Sequence, residues 1–468
     1  MRHVFTMFLL IALALGCAAA YALTVTIAPD RMLEVDGERI FVIGLYENPA
    51  DDAVLDEVAG AGFKLVRSGA DTAALDRLHA RDLWAWIVTG YNIDLSENRA
   101  AREDALENMV EAFAGHPALL VWEVPDEALW NCYYLAIQWR RHQEPAQLHE
   151  RIDALDDEDL VEELREMRQC SNDLWREGLY AEAEAIADDM WRKLGEDPPR
   201  PGYGLGDAPQ RAAKMQAGMV EGYTLLRELD PKHPVWMNHA PRNQIAQLAA
   251  FNRAADIVGC DIYPVREFET GHSDIAERTL AAVGAYTIRM QAAAPAKPVW
   301  MVLQGFGWHD LFPDQDPEKG RRPTLEETRF MAYDAIVNGA RGILYWGTHM
   351  VEKDSQFWED LLTVVAELDA LKPVLAAPDA PGAYPVSFAE TFGSVDRGIR
   401  VLPKTFEDKT WFLVVNEWTD PLTYTIRGLD GLDGMRYTER YTENEVMVAN
   451  RSLTLTIPAQ RVHVLIPE

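Results

Sequence analysis

Eight short apolar runs recur along this chain, alternating with stretches whose apolar residues are spaced as on one face of a helix. The runs fall at residues 40–46, 63–68, 83–88, 118–124, 234–239, 257–262, 298–304 and 342–346. They are continuous rather than alternating, as expected for parallel strands covered on both faces. Amphipathic stretches at 50–61, 100–114, 244–253 and 324–338 lie between them. The last carries its own start signal, because Pro323, Thr324 and Glu327 form a capping-box pattern. Eight strands alternating with helices predict an α/β fold of the (β/α)8 barrel type. An open doubly wound sheet fits less well, since no G-x-G-x-x-G follows the first strand. The run Gly202-Tyr203-Gly204-Leu205-Gly206 follows no strand and reads as a loop leading into a helix over 211–229.

With 468 residues, 48% of them hydrophobic, the chain can bury a full core and supports two domains. Residues 1–22 combine Arg2, an apolar run at 8–15 and small residues ending in Ala20-Tyr21-Ala22. That is the pattern of a signal peptide and predicts a secreted or periplasmic protein. Cys17 in Leu15-Gly16-Cys17 raises the alternative of a lipid anchor, but Ala14 stands where such motifs usually carry Leu. No later segment is long and apolar enough to span a membrane. The barrel is expected over 23–379, interrupted by a helical insertion at 130–207 after the fourth strand. That insertion should wall the mouth of the barrel, and it opens with Trp130, Tyr133, Tyr134 and Trp139. Beyond a Pro/Ala-rich linker at 376–382, alternating strands at 398–402, 410–416, 422–426, 452–457 and 462–466 predict an antiparallel β-sandwich over 380–468. The segment 23–38, with an Asp36-Gly37 hairpin signal, is expected to pack with that sandwich.

The net charge is −31, from 75 acidic and 44 basic residues. Nucleic acid and anionic membranes are disfavoured as partners, since both call for a basic face. The same sign disfavours strongly sulfated or uronate-rich ligands, unless a local basic cleft overrides it. The acidic stretch at 144–184 reads as a solvated helical face. Export would permit one disulfide, and Cys132 with Cys170 would close the long insertion, leaving Cys260 a buried thiol. No spacing resembles a metal site, and nothing calls for a cofactor. Oligomeric state is not legible here.

The fourth run ends in Trp122-Glu123-Val124-Pro125-Asp126-Glu127. A carboxylate at the C-terminal end of a barrel strand enters the mouth, where catalytic groups gather. This hexapeptide resembles the fourth-strand motif of the clan-A retaining glycosidases, usually a form of W-E-x-x-N-E. The resemblance implies a carbohydrate substrate and a general acid/base role for Glu127, with Asp126 in place of Asn. Taken alone, the hexapeptide could equally be a helix-capping Asp-Glu pair. Other strand ends extend the likeness. Arg67 ends the second strand, where similar enzymes hold the nucleophile carboxylate with an Arg; a structural salt bridge is the alternative. Trp346 ends the eighth strand and matches the aromatic platform under a bound sugar. Asn238 and His239 end the fifth strand, and Asp261 with Tyr263 the sixth, as candidate ligand contacts.

The pattern breaks at the seventh strand. The family places its nucleophilic Glu there, whereas this chain has Gln304, whose neutral amide cannot act so. A two-carboxylate mechanism needs a partner for Glu127. Asp261 and Glu47 are the mouth carboxylates on offer. The reading that follows is a secreted glycoside hydrolase with Glu127 as acid and Asp261 as a base activating water, inverting the anomeric centre. Gln304 would hold that water or a sugar hydroxyl. The alternative is a carbohydrate-binding or scaffold protein that kept the barrel and lost the nucleophile.

Overall fold

The computed structural model describes residues 22–176, 179–199, 204–265, 272–314, 316–390 and 398–468. The expected leader, Cys17 included, lies outside them apart from its last residue. Eight parallel strands close into a barrel: Val42–Leu45, Leu65–Ser68, Trp84–Val88, Leu119–Glu123, Val235–His239, Ile257–Asp261, Val299–Gln304 and Gly342–Trp346. Each pairs with its successor in sequence, and the last returns to the first through Gly342 opposite Val42. These are the eight runs read from the sequence, each trimmed by at most two residues at either end. Several of the surrounding helices begin where short polar side chains satisfy free backbone N–H groups. Asp51 caps Asp52–Ala61, Asp71 caps Thr72–His79, and Thr324 with Glu327 forms the expected capping box on Leu325–Val337.

Period-two alternation decides what faces the barrel axis. Trp86, Trp236 and Trp300 point inward, fully buried, and fill the interior with Val42, Leu65, Val302 and Leu344. Such bulk needs small residues opposite it. A Cβ at Gly259 would sit 2.5 Å from the Trp236 indole, and one at Gly342 would sit 2.6 Å from that of Trp300. The floor of the barrel is closed by a three-stranded antiparallel sheet, Val25–Ile27, Leu33–Val35 and Glu38–Ile40. Val25, Leu33 and Val35 join the interior cluster, and the Val25 N–H donates to the Lys232 carbonyl just before the fifth strand. The 23–38 segment thus plugs the barrel floor, its Val25, Leu33 and Val35 packing in the barrel interior rather than on the sandwich as expected.

The insertion holds the helices Ala128–Gln138, Glu144–Asp153, Glu158–Arg176 and Tyr180–Lys193. It has its own apolar centre of Trp139, Leu148, Ile152, Leu164, Met190 and Trp191. Beside this lies Arg140, buried and bonded to Glu144, Glu184 and Asp188. The expected Cys132–Cys170 disulfide is absent. Cys132 is buried with its Sγ toward the Ala128 carbonyl and 3.7 Å from the Met215 sulfur, while Cys170 is exposed on Glu158–Arg176. Cys260 is a buried free thiol, as expected.

The C-terminal part pairs a three-stranded sheet (Val386–Phe388, Leu422–Arg427, Ser452–Ile457) with a five-stranded one (Ile399–Phe406, Lys409–Asn416, Val462–Pro467, Arg436–Glu439, Glu445–Met447). Phe412, Tyr424, Tyr437 and Leu465 are buried between them. Leu402, Leu413, Val415 and Val464 face the other way and join the core that surrounds the barrel.

Candidate active site

The alternation that packs the interior also builds the mouth. Counting on from the inward tryptophans, the top layer holds one residue per strand: Tyr46, Arg67, Val88, Glu123, Asn238, Asp261, Gln304 and Trp346. His239 is one residue out of phase and faces the helices. Its Nε2 meets Asn252 Oδ1 at 2.8 Å, and burial pushes the imidazole down to about 4, so it stays neutral. The expectation that His239 meets a ligand is therefore corrected.

Glu123 was read only as part of its motif, yet it is fully buried at the centre of this layer. The Trp86 indole N–H donates to Oε2 at 2.8 Å and the Tyr46 hydroxyl to Oε1 at 3.2 Å. Burial, then the Asp126 charge, pushes its carboxyl up to about 8. Asp126 accepts from Asn238 Nδ2 at 2.9 Å, and burial raises its pKa as well.

Glu127 follows with φ +50°, the left-handed region that costs a non-glycine residue about 1–3 kcal/mol. Its N–H donates to the Asn238 carbonyl at 3.3 Å, which holds the turn across two strand ends. Burial, then the Asp126 charge, pushes Glu127 up to about 7. Its side chain is hydrogen-bonded to that of Asp261, whose carboxyl lies well above the ordinary range through burial and the Glu127 charge. Two carboxyls in contact cannot both ionise, so the pair holds a proton at neutral pH. Retaining and inverting pairs stand about 5–5.5 Å and 6.5–9.5 Å apart. A hydrogen-bonded pair is closer than either.

Behind Asp261 stands His272, a residue that sequence reasoning missed because it lies in an irregular loop. The Tyr263 N–H donates to its Nδ1 at 3.0 Å, which leaves the ring proton on Nε2, 3.7 Å from Asp261 Oδ2. Tyr263 is sandwiched between His272 (centroids 4.7 Å apart, planes at 3°) and Trp346 (5.5 Å, 17°), with Phe306 edge-on. An aromatic wall thus rises beside the carboxyl pair, with Trp346 only partly buried.

The remaining candidates separate. Glu47 is committed to Lys353 Nζ at 2.7 Å and Thr348 Oγ1 at 2.8 Å, an ion pair that Lys353 completes over the Trp358 ring. Gln304 is fully buried, and both amide donors are spent on the Val265 and Phe306 carbonyls while Oε1 accepts the Val265 N–H. It clamps the loop after the sixth strand, so the expectation that it holds water or a sugar hydroxyl is corrected. Arg67 makes no hydrogen bond or ion pair among the described residues, and its charge acts through space on Glu123 and Asp126, pulling both carboxyls down against their burial. It lines a cavity of about 430 Å³ with Tyr46, Asn48, Ser68, Gly69, Ala70 and Val88. No cluster of His, Cys, Asp and Glu among the described residues could hold a metal ion, and no described helix is long and apolar enough to cross a membrane.

The architecture, a closed eight-stranded barrel with a C-terminal pair of antiparallel sheets, is similar to that of solved glycosidases. A glycoside hydrolase family 5 protein from Bacteroides vulgatus superposes with a TM-score of 0.53 at 12% identity, over 95% of this chain and 92% of its own. A β-galactosidase from Bacillus circulans sp. alkalophilus gives 0.51 at 10%, over 91% and 98%. A catalytic mutant of a family 42 β-galactosidase from G. stearothermophilus gives 0.51 at 10%, over 92% and 98%. The resemblance to the clan-A barrel glycosidases thus stands at the level of fold. No protein-family model matches the chain, and no curated protein sequence does.

Proposed function

We propose that this protein is a glycoside hydrolase cleaving O-glycosidic bonds, with Glu127 as general acid. The observation that carries the proposal is the Glu127–Asp261 pair, a proton-holding carboxyl pair at the C-terminal mouth of the barrel. A left-handed backbone there is held by the Asn238 carbonyl, and strain of that kind gathers at functional sites. A carboxyl raised to about 7 is matched to proton donation near neutrality. In the resting pair Asp261 carries the proton and Glu127 accepts it. As an entering sugar parts the two, that proton passes to Glu127, which then faces the glycosidic oxygen, and the Tyr263–Trp346 wall offers an apolar face to the ring. As the C–O bond breaks, the proton passes from Glu127 to the leaving oxygen. Asp261, released from the pair, takes a proton from the attacking water, and the anomeric centre inverts.

Export through the leader would place this activity outside the cytoplasm. Glu127→Gln should lower turnover on substrates with poor leaving groups by about 10²–10⁴-fold without loss of folding. The wild-type rate should decline as pH rises through about 7, where the donor loses its proton. Release assays on a polysaccharide and aryl-glycoside panel, with NMR of the first-formed anomer, test this. An active Glu127→Gln enzyme removes Glu127 from the chemistry, and a retained anomer removes Asp261 as base. A second reading, a non-catalytic saccharide-binding protein, is favoured by Gln304, the neutral residue clamped where a carboxylate was expected. Binding of saccharides without release of product from any member of the panel would select it.

A further inference from the structure

We infer that the Arg67 cavity is a subsite for a sugar carrying an anionic group, a carboxylate or a sulfate. This names the substrate class for the site proposed above and rests on that reading only for the bond cleaved. A guanidinium presents five N–H donors and is always charged, so a partly buried one is expected to find acceptors. Arg67 makes no hydrogen bond or ion pair among the described residues, and its charge reaches Glu123 and Asp126 only through space. The acid nearest in the top layer, Glu123, is turned to Trp86 and Tyr46. Asp126 is turned to Asn238. Gln304 is neutral and consumed by backbone.

The wall of the cavity carries the same sign of evidence. In a chain with 75 acidic residues, none of the seven residues lining this cavity is Asp or Glu. Asn48, on the wall, has its oxygen taken by Arg77 Nη1 at 3.2 Å, which leaves the amide N–H groups as its free polarity. Burial pushes the Glu123 carboxyl up to about 8 although the Arg67 charge pulls it down, so at neutral pH it gives Arg67 little compensating charge. The cavity therefore offers donors and a fixed cation. A planar carboxylate or a sulfate matches them, through charge-assisted hydrogen bonds stronger than those to a neutral hydroxyl. The global net charge disfavours such ligands at long range, but at 0.15 M salt its reach is only about 8 Å, and the local pair decides.

Binding is best measured in the Glu127→Gln background, so that turnover does not enter. The probes are D-glucuronate, glucose 6-sulfate and glucose, titrated by calorimetry or NMR. One or both anions should bind at least about tenfold tighter than glucose, and Arg67→Gln should abolish that margin. Gly69 supplies a second handle, because a Cβ there meets nothing within 4 Å. Gly69→Asp should place a competing carboxylate beside Arg67 and erase the preference, whereas the near-isosteric Gly69→Asn should keep it. A preference for glucuronate alone assigns a carboxylate, and for glucose 6-sulfate alone a sulfate. Equal affinity for glucose and both anions, or a margin that survives Arg67→Gln in a folded variant, overturns the inference. Anion binding without hydrolysis of any glycoside would leave it standing while the hydrolase reading falls. Hydrolysis of neutral glycosides without anion preference would do the reverse.

Discussion

Glu123 is where burial and ionisation conflict most openly. Its ordinary value of 4.5 is raised to about 8 in the folded chain, so the folded state resists deprotonation. A carboxyl shifted upward leaves stability intact below about pH 4.5 and removes it as pH rises toward about 8, by roughly 4–5 kcal/mol if uncompensated. Glu123→Gln keeps the shape, accepting from Trp86 and donating to the Tyr46 oxygen, and has no proton to lose. Urea denaturation should find the variant close to the wild type at pH 5 and more stable than it at pH 9. Equal stability at both pH values would show that Glu123 ionises freely. The inward position of this residue was legible, since period two runs unbroken from Val121 to Glu123. His272 and Lys353 were not, because irregular loops carry no periodicity from which a direction could be read.

Among the elements, the eight strands were legible because each is a continuous apolar run bounded by polar residues. The short strands Val386–Phe388, Arg436–Glu439 and Glu445–Met447 were missed. At three or four residues, with Ser, Arg, Thr and Glu among them, they show too few alternations to register. The insertion was legible as helices, but not the way they close. Span alone suggested a disulfide, whereas the closure is ionic. Arg140 is the common partner of Glu144, Glu184 and Asp188, and Glu184 also takes the Leu205 and Gly206 N–H groups at 2.9 and 3.0 Å. Removing one partner of a buried ion cluster leaves the rest without compensation, at a cost of about 3–5 kcal/mol. Arg140→Met should therefore loosen the insertion ahead of the barrel. Limited proteolysis should cut first within 144–193, and an unchanged cleavage pattern would show that the apolar centre alone holds these helices.

At the scale of the whole molecule, barrel and sandwich share a core rather than merely touching. Tyr441 donates its hydroxyl hydrogen to Tyr333 of Leu325–Val337 at 2.9 Å, and Asn338, bonded to Asp334 of the same helix, donates across the seam to Glu417 at 3.0 Å. Leu413, Val415 and Val464 complete the covering of that helix layer. A chain ending at residue 379 would expose this apolar face, and patches of that kind drive association. It should be recovered aggregated, or bind a hydrophobic dye strongly; a soluble, cooperatively unfolding barrel would show that the two parts are separable. The floor plug has a directional meaning as well. The chain enters the fold beside Lys232, at the end of the barrel opposite Glu127 and Arg67. A peptide or lipid tether joined ahead of residue 22 would leave from that floor. Fixed to a surface by it, the molecule would stand with its mouth turned outward, free to meet chains too large to diffuse beneath it.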